Sequence, residues 1–193
     1  MSKKFIRLLS VMLTAIVVSL CIPAEAYAAD VINPYPYAAQ FAAKPYVAMK
    51  SLPSYKVIKK SATDAQMAQA YNILGQLMVP MTNYSKPEQL MLVSEMLRGM
   101  VDCGLVQYSQ SYPHYNDPYG YLVNGVASCA GSTRTTIMAL EMLGITGIEH
   151  VHANQYCHQW ARVRMDDGTY WICDPFGLYV GPEPAPYVHT YAQ

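Results

Sequence analysis

Residues 125–145 read GVASCAGSTRTTIMALEMLGI. Small residues run from Gly125 to Ser128, a single thiol follows at Cys129, and a helical pattern begins on that thiol. The apolar positions Ile137, Leu140, Met142 and Leu143 carry this helix to an exit at Gly144. A helix N-terminus presents unpaired backbone N–H groups and the positive end of the helix dipole, and both stabilise negative charge. Cys129 therefore stands where a thiol ionises readily, and the thiolate is the nucleophilic form. Its own backbone N–H is a candidate oxyanion donor, and Gly125, Ala127 and Ser128 are small enough to let a substrate carbonyl approach. The competing reading is a cysteine that packs as a small hydrophobe.

After Ile145 the apolar period changes to two. GIEHVHANQ (147–155), YCHQWARVRM (156–165) and TYWICDP (169–175) read as strands, and Asp167-Gly168 is a hairpin turn between the last two. A hairpin turning at 166–168 makes His158 and Asp174 cross-strand neighbours on one face. A carboxylate beside an imidazole orients it and supports its charged form, and the imidazole in turn activates a thiol. Cys129, His158 and Asp174 thus form a papain-type constellation, with the thiol on a helix and the His–Asp pair on a hairpin. The same alternation puts Cys157 and Cys173 on the opposite face, as small core residues or a disulfide pair. It also argues against a shared metal ion, because neighbouring residues point apart. His150 and His152 share a strand face and could ligate a metal as a minor alternative, His114 falls in a tyrosine-rich loop as an exposed or cleft-lining residue, and His189 lies in the tail, where no role is expected.

Upstream, two helices are expected. TDAQMAQAYNILGQLMV (63–79) carries Met67, Ala70, Tyr71, Leu74 and Leu77 at helical spacing, with Ser61 or Thr63 as the cap and Pro80 as the stop. SKPEQLMLVSEMLRGMVDCG (85–104) has Ser85 as cap, Pro87 in the first turn, Gly104 at the exit, and an apolar face of Leu90, Val93, Met96, Leu97 and Met100. Residues 107–121 read as an irregular Tyr-rich loop, and the Pro-rich stretch from Gly177 as coil. Residues 29–60, rich in Pro, Tyr and Ala, read as an extended arm, and 61–193 as the folded domain.

The first 28 residues read as a secretory signal peptide: a basic MSKKFIR, an apolar LLSVMLTAIVVSLCI, and small-residue cleavage sites after Ala26 or Ala28. The apolar run is short for a membrane span. Leu20, bulky before Cys21, argues against lipidation. The full chain has 13 basic and 13 acidic residues; cleavage after Ala28 leaves 10 against 12, a formal charge of −2. No basic patch survives, which sets nucleic acid aside as a partner.

With these residues in view, the segment 119–176 resembles bacterial transglutaminase-like domains. Tyr119-Gly-Tyr-Leu-Val-Asn-Gly-Val-Ala-Ser-Cys129 is similar to the family's approach to its nucleophile, ALEMLGI to its helix end, His158-Gln-Trp160 to its His-x-Trp, and DDGTYWICDP to its final strand. The sequence departs from the pattern at Ala161, where Asn is frequent, and at Phe176, where Thr is frequent; both bear on subfamily and substrate. The resemblance implies a papain-like α+β fold, with N-terminal helices packed on a small antiparallel sheet and the triad Cys129, His158 and Asp174. It also implies an upstream oxyanion or substrate-binding side chain, Tyr121 first and Asn124 second, with Trp160 beside the histidine.

The expected function is a secreted or cell-envelope thiol enzyme of bacterial type that acts on peptide or glutamine amide bonds. Water as acceptor gives a peptidase or amidase, and an amine gives cross-linking; the small domain tilts the balance towards hydrolysis. No cofactor is called for, and no acidic cluster suggests calcium. The expected partner is a protein or peptide substrate of a monomer with no stable membrane insertion. The rivals are a non-catalytic peptide- or glycan-binding module and a disulfide-stapled structural domain.

Overall fold

The computed structural model describes residues 48–153 and 157–185. The expected leader over 1–28, most of the expected arm over 29–60, and His189 lie outside the described residues. Among the described residues no helix is long and apolar enough to cross a membrane.

Two N-terminal helices form where their caps and apolar stripes place them. Helix α2 spans Asp64–Met78 and buries Met67, Ala70, Leu74, Leu77 and Met78. Its start is a capping box: Thr63 Oγ1 accepts from the Gln66 N–H at 3.2 Å, and Gln66 Oε1 accepts from the Thr63 N–H at 2.8 Å. Helix α3 spans Lys86–Asp102, and the five positions expected to face inward are all buried. Its Glu88 carboxylate accepts from both the backbone N–H (2.9 Å) and the hydroxyl (2.6 Å) of Ser85. Caps of this kind contribute about 1 kcal/mol each.

The expected arm needs correction at its C-terminal end. Tyr55–Lys59 is a short helix, α1, and Leu52 and Ile58 are in the core at 3% and 0% exposure. The folded unit therefore begins before residue 61. Five residues are too few for a stable isolated helix. The tie is tertiary, since the Glu141 carboxylate accepts from the Ser54 N–H at 3.1 and 3.2 Å.

Helix α4, Cys129–Met142, is the centre of the molecule, and all fourteen of its residues are buried. It packs against α1, α2 and α3 as well as the sheet. The one-sided apolar face read from Ile137, Leu140 and Met142 is therefore only part of its contact surface. Small residues make all-round burial possible. The hydroxyls of Thr133, Thr135 and Thr136 donate to the carbonyls four residues back, at 2.8, 2.8 and 2.9 Å, so none is left unpaired in the interior.

The sheet is an antiparallel meander of four strands, in the order β3 (Ile148–Ala153), β4 (His158–Arg164), β5 (Tyr170–Asp174) and β6 (Tyr179–Pro182). Strand β6 corrects the expectation of coil after Gly177. A separate two-residue parallel pair joins β1 (Gln107–Tyr108) to β2 (Val126–Ala127), which leads into α4. The mixed helix and sheet architecture is α+β.

Candidate active site

Ser128 caps α4, its hydroxyl accepting from the Ala130 N–H at 3.2 Å. Cys129 is then the first helical residue, 8% exposed, with its N–H lacking an intrahelical acceptor. The strand β2 and the αL residue Gly125 (φ +66) deliver the chain to this point. An added Cβ at Gly125 would lie 2.5 Å from the Leu105 carbonyl oxygen, so glycine serves both the turn and the close approach.

His158 opens β4 and Asp174 ends β5. The β4–β5 ladder runs from Ala161↔Cys173 to Arg164↔Tyr170. Extended by one pair, it sets Asp174 opposite Trp160, so His158 reaches Asp174 along a diagonal rather than directly across. His158 Nε2 lies 2.7 Å from Asp174 Oδ2, with the two residues each 2% exposed. Asp174 Oδ1 accepts from the Gly177 N–H at 2.8 Å. Both carboxylate oxygens are thereby fixed. Cys129 is the second group acting on this imidazole, close enough for its hydrogen bonding and charge to support the protonated ring. Burial works to lower the His158 pKa, but the hydrogen bonds and charges of Asp174 and Cys129 outweigh it and raise it to about 9. The imidazolium is thus the favoured form at neutral pH, beside a thiol at a helix N-terminus.

The structure thus brings Cys129, His158 and Asp174 together. The residues nominated around them fare differently. Trp160 is half-buried with its ring 6.0 Å from that of His158. Asn124 is exposed at the end of the turn Gly120–Asn124. Tyr121 is corrected as an oxyanion donor: it is fully buried, and its hydroxyl donates to the Leu97 carbonyl at 2.7 Å, inside the core. Its pKa is driven up by that burial. The Cys129 N–H, at the first position of the helix, remains as the candidate donor.

The other cysteines also resolve. Cys173 is a fully buried thiol, 3.5 Å from the Leu90 carbonyl it donates to, and burial pushes its pKa up. Cys157 is exposed at φ +50, just before β4, and not a core partner of Cys173. Cys103 is exposed. Among the described residues, no three His, Cys, Asp or Glu side chains converge as a metal-binding group. His150 is bonded to Gln159 at 2.7 Å, and His152 is exposed.

Sequence reasoning passed over one group beside the site. Arg134, 8% exposed on α4, donates to the Asn116 and Ala130 carbonyls at 2.9 and 3.3 Å. Burial lowers its pKa while Asp117, Cys129 and Tyr115 act to raise it, so this cation is electrostatically coupled to the thiol end of the helix. His114 also departs from its expected exposure: its Nδ1 lies 2.8 Å from Asp117 Oδ2, and Asp117 is fully buried. The signal for this pair was Asp117-Pro118, a turn or cap dipeptide.

Compared with protein-family models, curated proteins and solved structures, the chain finds no match.

Proposed function

We propose that this chain is a thiol enzyme that cleaves amide bonds through an acyl-enzyme, on a papain-like arrangement of helix and sheet. The observation that carries the reading is the Cys129–His158–Asp174 chain of hydrogen bonds, with the thiol at a buried helix N-terminus. The similarity of 119–176 to bacterial transglutaminase-like domains supports it. The thiolate of Cys129 attacks the amide carbonyl, and the Cys129 N–H stabilises the oxyanion. His158, protonated by the thiol, gives its Nδ1 proton to the leaving amine as the C–N bond breaks. Asp174 holds the ring by its Nε2–H. Water, deprotonated by His158, then releases the acyl group as acid; an amine in its place gives transfer.

Hydrolysis is the outcome we favour, with amine transfer as its alternative. The basic-then-apolar composition of residues 1–28 supports export to the cell envelope or beyond, towards protein or peptide substrates. A peptide- or glycan-binding module is the second reading, favoured by the exposed Tyr108 and Tyr112, at 60% and 61%.

The deciding experiment is iodoacetamide labelling across pH 5–9 (about three units below to just above an ordinary thiol's pKa), with the modified cysteine mapped by mass spectrometry in the wild type and in His158→Ala. Fast labelling of Cys129 in acid, lost in the variant, sustains the enzyme. Slow labelling that ignores His158 hands the site to the binding module. Incubation with a glutamine peptide and a labelled amine then separates the acceptors, and amine incorporation outrunning hydrolysis would make transfer the principal reaction.

A further inference from the structure

A second His–Asp pair sits one loop away from the thiol, among Ser61, Gln66, Tyr119 and Gly120. Gln66 Oε1 is occupied by the Thr63 N–H, so its amide nitrogen faces outward, 3.3 Å from His114 Nε2. His114 Nε2 therefore accepts, and Nδ1–H donates to Asp117 Oδ2 at 2.8 Å. Ser61 Oγ reaches the same oxygen at 3.4 Å, and Asp117 Oδ1 accepts from the Gly120 N–H at 3.0 Å. His114 is held at φ +66, an uncommon conformation for a residue with a side chain.

What this pair encloses is the short span Tyr115-Asn116, and both of its carbonyls point at the thiol-bearing helix. The Tyr115 carbonyl accepts from the Ser128 N–H at 2.8 Å and from the Ser128 hydroxyl at 3.3 Å. The Asn116 carbonyl accepts from Arg134 at 2.9 Å. The contact is tight enough to require glycine: a Cβ at Gly131 would come 2.5 Å from the Tyr115 oxygen, and one at Gly120 would come 1.8 Å from the His114 oxygen. The residue immediately before the thiol is thus hung from a loop whose shape is set by His114 and Asp117.

We propose that His114 and Asp117 are positioning residues that hold the cap of α4, and through it the Cys129 thiol, in line with His158; this rests on the reading of Cys129 as the nucleophile. Neither residue touches the reacting atoms. Their effect passes through Tyr115 and Ser128 to the alignment of the helix N-terminus with the thiolate. Loosening them reduces the share of molecules in which the thiolate meets both the imidazolium and the helix end, so Cys129 is alkylated more slowly.

The test is the iodoacetamide pH profile of Cys129 in the purified chain, beside thermal unfolding, for wild type, His158→Ala, His114→Ala, His114→Gln and Val93→Ala. His114→Ala is expected to change the profile by slowing labelling in the acid range about tenfold. His114→Gln, whose amide N–H can still reach Asp117, restores the wild-type profile. Val93→Ala weakens a core position on another element, α3, and lowers the melting temperature without moving the profile. A His114→Ala profile that superimposes on wild type, while wild-type labelling still depends on His158, overturns the positioning role alone. A Val93→Ala shift as large as that of His114→Ala overturns it too, since the effect is then general softening. Slow wild-type labelling indifferent to His158→Ala removes the nucleophile, and the positioning role falls with it.

Discussion

Asp-Pro-aromatic-Gly occurs twice in this chain, as Asp117-Pro118-Tyr119-Gly120 and as Asp174-Pro175-Phe176-Gly177, and both copies hold a histidine. In each, one carboxylate oxygen accepts from the glycine N–H three residues on, at 3.0 Å in the first and 2.8 Å in the second. In each, the other oxygen meets an imidazole, at 2.8 and 2.7 Å. Proline fixes the backbone after the aspartate and has no N–H to compete for the carboxylate, which explains why one tetrapeptide serves both sites. The difference lies in where the histidine comes from. His114 is three residues before its aspartate, presents Nδ1, and gives its other nitrogen to Gln66. His158 comes from the adjacent strand, presents Nε2, and has a thiol as its other neighbour. A local pair with an amide behind it can only hold a loop. A pair assembled across strands, with an ionisable partner behind it, can move a proton.

That contrast predicts a wide separation in activity. Cys129→Ala or His158→Ala should lower amide turnover about ten-thousandfold or more, as loss of a triad member does. His114→Ala should lower it only about tenfold, and equal losses would erase the distinction between the two pairs. Next in size, Asp174→Asn should reduce turnover about a thousandfold while the fold persists, because the amide oxygen can still accept from Gly177. Asp117→Asn should cost only about tenfold, in line with His114→Ala, which steady-state assays of the two aspartate variants side by side would show.

The loop itself offers a structural probe. Gly120→Ala should destabilise the protein by about 3 kcal/mol, and Gly131→Ala by less, given added atoms 1.8 and 2.5 Å from backbone oxygens. Urea unfolding reads both, and an unchanged midpoint for Gly120→Ala would mean that the His114 loop is not clamped. The pH dependence of stability comes next. A folded His158 pKa of about 9 against an ordinary 6.5 means the native state binds the proton more tightly. The resulting stabilisation, about 3 kcal/mol at most, is complete below about pH 6.5 and is lost as pH rises through 9. The stability difference between wild type and His158→Gln should therefore shrink from pH 6 to pH 10 (about one unit above that pKa). The smallest effect belongs to the surface. Arg162 pairs with Glu149 and Glu183 at 3.1 and 2.9 Å, and Arg162→Ala should cost about 1 kcal/mol or less.

Much of this was written locally. Thr63 with Gln66 and Ser85 with Glu88 announce their helices because caps act within one turn. Asp167-Gly168 announces its hairpin because the turn type demands those residues. A thiol on the first residue of a helix is legible for the same reason. The His158–Asp174 pairing was legible as a hairpin neighbour, although its diagonal offset depended on the realised register. The two Asp-Pro-aromatic-Gly copies were equally visible, yet only the second stood out, because it lay on a strand pattern and the first in a loop.

Other features depend on groups far apart in the chain. The helix at Tyr55–Lys59 exists because Glu141, eighty-seven residues beyond Ser54, takes its cap N–H. Strand β6 forms because β5 offers it an edge, in a segment whose prolines argue for coil. The Tyr121 hydroxyl turns inward because Leu97 of α3 presents a carbonyl there. Helix α4 is buried on every side because helices and sheet close on it together, which no periodicity within fourteen residues can announce. Caps, turns and apolar period are set within a few residues and so can be read along the chain. Partners brought in from distant segments are chosen by packing, and their identity appears only once the segments meet.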